Sequence, residues 1–446
     1  MPRTTLALTS FVSGEFSAKM DGRTDFDKYA SGTKTLENFL VHPQGAATRR
    51  VGTQFIAEVK DSSKKTRLIP FEFSTTQTYI MEFGDQYIRF YKDKGQILSG
   101  GSAYEISSPF LEAELFDIKF AQSADVMYLC HPNHDVRKLS RTGHTSWTLA
   151  TVSFSGSPSL PISGSDNRPS CVSFFEQRLV FANTNNNPQT LWFSKSGDYE
   201  NFTTGTNADD AMIYTIASNQ VNAIQYLKAV RTLIVGTSGG EFTVSADGTD
   251  AAITPTNVTI KRQSSFGSAG VDAIPAGNAI LFLQKAKRKI RELAYNFDSD
   301  GYVAPDLTIL NDTVTKSGIV QMIFQQEPDS IIWCVRDDGE LAGLTYQRSE
   351  NVVSWHRHIF GGVFGNGNSV CESAASISGT LTEDELWVIV KRTINGATKR
   401  YVECFSDFDF DETDATDFKF LDSHLSYSGS ATTSLSGLAH LEGQSV

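Results

Sequence analysis

The sequence predicts a mainly β chain, folded as a β-propeller of six or seven blades. Three observations predict it. Aromatic residues are plentiful (30 Phe and 14 Tyr) beside 34 Gly, while charged residues make up only 20% of the chain, the balance of a strand-and-turn protein rather than a helical one. At 446 residues the chain is too long for one ordinary compact domain unless it is a barrel, a propeller or another repeat fold. Finally, paired apolar strands recur along it at intervals of roughly 47 to 55 residues, close to the spacing of four-stranded blades.

Seven strand pairs carry the repeat: 79–83 with 87–90, 126–130 with 136–139, 178–182 with 190–194, 232–236 with 240–244, 279–283 with 289–293, 331–335 with 339–344, and 386–390 with 400–404. Short apolar segments at 171–175, 221–224 and 320–324 precede three of the pairs and suit inner strands. Trp147 and Trp355 each close a unit, where an outer strand packs on its neighbour. A lone four-stranded blade leaves both faces wet, and stacking blades around an axis buries them.

The chain divides into an N-terminal arm at 1–64, a propeller at 65–405, and a C-terminal linker and start of a further β segment at 406–446. Within the arm, 25–40 holds one short helix with Tyr29 and Leu36 on a face, weakened by Gly32. Arg49, Arg50 and Gly52 lead into a strand at 53–59. The run 407–414 is strongly acidic and reads as a linker or an extended edge.

A net charge of −12 argues against tight binding of nucleic acid, which needs clustered Lys and Arg. It leaves room for a surface past which DNA slides. The five cysteines lie far apart without a CxxC pair, the pattern of buried free thiols in a reducing compartment. The broken apolar run 6–12 is too short for a signal peptide, and no run reaches the length of a membrane span. Folding in the cytoplasm is the expectation.

Candidate chemistry is sparse. His131 and His134 flank a Pro-Asn turn; that spacing does not force zinc ligands together, and a surface turn is the plainer reading. His356 and His358 alternate on a strand, so their imidazoles share a face, as a surface or interface pair. The densest basic run holds Lys285, Lys287, Arg288, Lys289 and Arg291. With Arg49 and Arg50 it forms the candidate contact to DNA phosphates or to an acidic neighbouring subunit; a solvated hairpin loop is the plainer reading of the run. The carboxylate groups at 209–210, 337–338 and 383–385 sit beside turn residues and read as turn carboxylates. The segment 140–147 lacks both the Asp and the Gly of a sialidase Asp-box, Gly239-Gly240 is a hairpin turn, and a Walker motif is absent. Neither a cofactor nor an enzymatic activity is expected.

The stretch Phe11–Phe55 is distinctive: Phe-Val-Ser-Gly-Glu-Phe-Ser, then Asp-Gly-Arg-Thr-Asp-Phe-Asp-Lys-Tyr, Thr-Leu-Glu-Asn-Phe, and Gly-Ala-Ala-Thr-Arg-Arg-Val-Gly-Thr-Gln-Phe. It resembles the N-terminal signature of the tail nozzle, or tail tubular protein B, family of short-tailed bacteriophages. The likeness continues at 67–74, 83–91, 174–182 and 191–199, and is strong again at 437–443. It implies a structural virion protein of the tail, assembled in the host cytoplasm as a ring, usually of six subunits. That ring lies below the portal and adaptor, forms the channel for genome ejection, and receives fibre proteins on its outer face. DNA is a partner in transit only. The family segment at 437–443 normally runs into a further β domain, which implies continuation beyond Val446. The arm and the acidic tail are then segments that cross to neighbouring subunits. Two other classes compete: a propeller that binds or hydrolyses host-surface carbohydrate, and an assembly chaperone absent from the mature particle.

Overall fold

The structure is a computed structural model that describes residues 8–156, 164, 167–217, 220–248, 251–298, 300–379, 383–407 and 418–444. Seven antiparallel sheets follow one another along it, the blades of a β-propeller. Blade one is Arg67–Ser74, Gln77–Gly84, Tyr87–Lys92, Gly95–Gln96 and Glu105–Ser107. Blade two is Lys119–Ser123, Val126–His131, His134–Gly143 and Ser146–Thr151, and blade three is Cys171–Phe175, Arg178–Ala182, Thr190–Phe193 and Met212–Thr215. Blade four is Ile224–Ala229, Leu233–Thr237, Gly240–Ala246 and Val258–Ser264, and blade five is Ile274–Ala276, Ala279–Leu283, Ile290–Asn296 and Gly301–Val303. Blade six is Ile319–Gln325, Ile331–Arg336, Leu341–Gln347 and Val352–His358. Blade seven is Val370–Ser378, Asp384–Ile394, Ala397–Phe405 and, from far upstream, Thr53–Glu58.

The middle strands explain why the repeat was readable. Arg178–Ala182 is buried at every position, as is Ile331–Arg336, because a blade is covered on both faces and its central strands lose the usual in-and-out alternation. The fourth strand of blade two, Ser146–Thr151, is mostly exposed, with Trp147 as its one buried residue. Trp355 takes the corresponding place in the fourth strand of blade six. Both tryptophans thus lie where the unit-closing pattern placed them.

The chain forms two compact units, Met1–Tyr104 with Thr308–Val446, and Glu105–Leu307. In the first, Leu386, Val388 and Val390 of blade seven pack toward Ile331, Trp333 and Val335 of blade six. The intervening Trp387 and Ile389 pack toward Leu68, Ile80 and Tyr91 of blade one, the period of two that a strand imposes. In the second unit, Leu179, Phe181 and Trp192 of blade three meet Tyr128, Cys130 and Val136 of blade two. Val180, Leu191 and Phe193 meet Ile224, Leu233 and Val235 of blade four, whose opposite face carries Tyr226 and Ile234 to Ile280 and Phe282 of blade five. All five cysteines are buried and unpaired, and burial pushes the Cys171 thiol up to about 12.

Two sequence expectations change in the first unit. Residues 25–40 form no helix of the expected length: a single 3-10 turn, Asp27–Ser31, ends at Gly32, where the backbone becomes extended and pairs in parallel with Gly14–Glu15. One five-residue turn cannot outweigh that pairing, because helix nucleation is costly and is repaid only over several turns. The strand after Arg50 also leaves the arm assigned to 1–64. Thr53–Glu58 pairs antiparallel with Ala397–Phe405 and completes blade seven. A polar lock holds it there: Arg392 and Glu403 are almost wholly buried and paired, and the Thr53 hydroxyl donates to Glu403 at 2.5 Å.

Candidate functional site

The residues of the distinctive N-terminal stretch converge on blades six and seven. Gly14 has φ +65°, and a Cβ there would stand 2.4 Å from the Trp355 backbone nitrogen, so the position demands glycine twice over. The Glu15 carboxylate accepts from Arg357 Nε at 2.8 Å and from the Leu36 N–H at 2.8 Å. Arg357 N–H donates to Leu36 O, and Asn38 N–H donates back to Arg357 O. The Thr345 hydroxyl donates to Val41 O at 2.7 Å. The arm therefore runs along the outer edge of blade six and satisfies backbone groups that would otherwise be exposed for strand addition.

Arg50 is the centre of this arrangement. Its guanidinium makes a bidentate pair with Asp422 at 2.7 Å on both branches. It also donates to Val51 O, Ile359 O and Asn38 Oδ1 and stacks over Phe360 at 5.0 Å. Side-chain exposure is 5% for Arg50 and 8% for Asp422. Burial pushes the Asp422 carboxyl up, but the Arg50 guanidinium outweighs it and holds the carboxyl below the usual range. The expectation that Arg50 contacts DNA or another subunit is corrected: every branch of the fork is already spent inside this chain. Arg49 is exposed and lies over Phe420 at 5.2 Å.

The C-terminal tail closes the clasp. Gly52 N–H donates to Lys419 O, Phe55 N–H to His424 O, and His424 N–H to Thr53 O. His440, inside the second stretch of strong resemblance, stacks on Phe55 at 4.3 Å. Its Nε2 donates to Ser423 O, and its carbonyl accepts from Tyr401 Oη. A Cβ on residue 52 would lie 1.9 Å from Leu421 O, which no backbone tolerates. Gly52→Ala is thus expected to cost about 1–3 kcal/mol and to loosen 418–424, measured by denaturant unfolding and by limited proteolysis. Where they are described, the arm from Gly14 to Phe55 and the tail at 419–424 and His440 bond to this chain rather than standing free, whereas 425–439 is exposed. Most of the acidic run 407–414 lies outside the described residues; Asp407 pairs with Lys94.

The basic run forms the exposed tip of the hairpin between Ala279–Leu283 and Ile290–Asn296. Lys285, Lys287 and Arg288 are exposed; Lys289 pairs with Asp306 at 2.7 Å. Arg291 donates to Gln284 Oε1 and Ala304 O, and lies 3.5 Å from the centre of the Phe266 ring. The tip fits the plainer reading of a solvated loop, with Arg291 anchoring its base.

The two histidine pairs behave differently from each other. His356 and His358 share a face, as a strand requires, but both are fully buried against Trp333 rather than on the surface. Because Thr345 donates to Val41, its oxygen accepts from His356 Nε2. His356 Nδ1 then accepts from His358 Nε2 at 2.6 Å, and His358 Nδ1 is left buried without a donor. With both rings neutral, every bond of this chain has one donor and one acceptor. Burial lowers His356 to about 3, helped by nearby His42, and lowers His358 well below the ordinary imidazole range, helped by His356 and Arg50.

His131 and His134 do converge, 5.3 Å between ring centres, across the hairpin turn of blade two. They meet Glu114, from the 3-10 turn Glu112–Asp117. Glu114 accepts from Leu111 N–H at 2.9 Å, Asn133 Nδ2 at 3.0 Å and His134 Nε2 at 2.7 Å. Burial opposes its ionisation, and those bonds overcome it, bringing the carboxyl to about 2. Burial lowers His131. Glu114 was not visible in sequence: it lies 17 positions upstream of His131 (131 − 114), and no periodicity links a 3-10 turn to a hairpin.

The second unit also carries a polar cleft of about 820 Å³ lined by Glu176, Gln177, Ser196, Arg231, Asp247 and Lys261, among others. The carboxylates set aside as turn residues serve turns and ion pairs: Asp210 with Lys195, Asp338 with Arg336, and Asp384 accepting from Gln326 N–H. Among the described residues, no helix is long and apolar enough to cross a membrane.

No protein-family model matches the chain, and no curated protein matches it. Solved structures similar to it are propellers. The Pan2 WD40 domain of Neurospora crassa is 8% identical with a TM-score of 0.44, over 83% of this chain and 97% of that one. The Swd1 β-propeller domain of Myceliophteria thermophila is 9% identical with a TM-score of 0.47, over 79% and 100%. BamB from Moraxella catarrhalis is 8% identical with a TM-score of 0.38, over 80% and 99%. At such identity the likeness concerns fold alone.

Proposed function

We propose that this propeller is a structural subunit of the tail nozzle of a short-tailed bacteriophage, not an enzyme. One observation carries the reading. The two stretches that most resemble that family, 11–60 and 437–443, are used as framework: Gly14, Glu15, Arg50, Gly52, Phe55 and His440 join arm and tail to the last blades. A signature spent on tying segments together suits an assembly part, whereas an enzyme family concentrates its signature around a reacting centre.

In this reading copies of the chain form a ring, usually of six, between the adaptor and the fibres. The net charge of −12 keeps the wall from gripping phosphate as the genome passes. Mass spectrometry of mature virions is expected to find the chain in stoichiometric amount, and cryo-electron microscopy of the particle to place it as a ring around the tail channel. Absence from the virion would sink the proposal, and a continuously basic lumen would sink the non-stick wall.

The polar cleft favours a second reading, a propeller that binds carbohydrate on the host surface. Its hydroxyls, amides and opposite charges are the groups that pair with sugar hydroxyls. Saturable binding of purified host envelope polysaccharide, lost on Arg231→Ala, would support it.

A further inference from the structure

We infer that Glu114, His131 and His134 form a binding site for a divalent transition ion of the zinc class. The donors come from two segments that the fold brings together, the 3-10 turn Glu112–Asp117 and the hairpin turn of blade two. One ligand atom from each residue lies within 4.8 Å of the others. Two imidazoles and a carboxylate are the mixed nitrogen and oxygen set that suits zinc rather than calcium or magnesium, which take oxygen alone.

The surroundings hold the donors in place. Phe110 packs edge-on against both rings, at 6.1 Å from His131 and 5.0 Å from His134. Leu111 N–H and Asn133 Nδ2 orient the carboxylate, the outer support that liganding groups need. His134 Nε2 and Glu114 Oε2 now share one proton at 2.7 Å. The ion takes that proton's place, and the proton moves to His134 Nδ1, so the ring stays neutral. Asn133 N–H donates to His131 Nδ1 at 3.1 Å, and binding through that nitrogen displaces this one weak bond. Zinc bonds of about 2.0–2.1 Å draw the three donors closer than they stand here. Solvent fills the fourth position.

Titrating zinc into the chelator-treated full chain by calorimetry is expected to show one equivalent bound, and the melting temperature to rise with it. Cobalt in its place is expected to give the ligand-field absorption of a tetrahedral nitrogen and oxygen site. His134→Asn keeps a donor to Glu114 but removes the metal-binding nitrogen, so it should fold normally and bind at least tenfold more weakly. His131→Gln should do the same. A wild-type chain that takes up no zinc at one equivalent, or variants that bind it unchanged, would overturn the inference.

Discussion

Arg50→Met is expected to destabilise the protein by about 3–5 kcal/mol, because it strands a buried carboxylate. Asp422 takes both branches of the guanidinium and is only 8% exposed. Among the described residues its remaining hydrogen-bond donor is the Gly361 N–H, which cannot replace a full positive charge. The same change leaves Ile359 O and Val51 O without their guanidinium donor. Urea unfolding measures the loss. Limited proteolysis of the native variant should cut the 418–444 segment well before the blades. The double change Arg50→Met with Asp422→Leu should recover much of the stability, since the cost lies in the unpaired charge rather than in the missing attraction. A single variant within about 0.5 kcal/mol of wild type would show that the clasp carries no weight.

The second large effect is acid sensitivity centred on His356 and His358. An unfolded histidine titrates near 6.5, whereas folded His356 is lowered to about 3 and His358 lies well below its ordinary value. Between those limits the unfolded chain binds more protons than the folded one. Stability from this pair is therefore complete above about pH 6.5 and is lost as the pH falls toward the folded values. Each histidine contributes a slope of about 1.4 kcal/mol per pH unit inside the window. Other groups titrate in the lower part of the same range, so the test is a difference. His358→Gln keeps a donor to His356 and removes one titration, and its stability should fall less steeply than wild type between pH 6 and 4.5. Equal slopes would place the acid response elsewhere.

The blades were legible because their cause is local. A central strand covered on both faces must be apolar at nearly every position, as in Ile331–Arg336, and the turn after it must break the run. Repetition of that demand made the period visible at very low identity between units. The arm was not legible in the same way. Its short extended pieces, such as Gly32–Thr33 beside Gly14–Glu15 and Phe39–Val41 beside Ala47–Arg49, are too brief to show a period, and they dock on blade six hundreds of positions away. Arg50 looked like a surface cation for the same reason, since its counter-charge lies 372 positions on.

Pattern along the chain sufficed for the fold class, the free thiols and the shared face of His356 and His358, since each follows from spacing or composition. Burial of that histidine pair, the meeting of Glu114 with His131 and His134, and the joining of Thr53–Glu58 to the final blade were settled only in three dimensions. Those outcomes depend on which surfaces press together once the sheets stack. A residue's neighbours in space, more than its neighbours in sequence, decide its charge and its work.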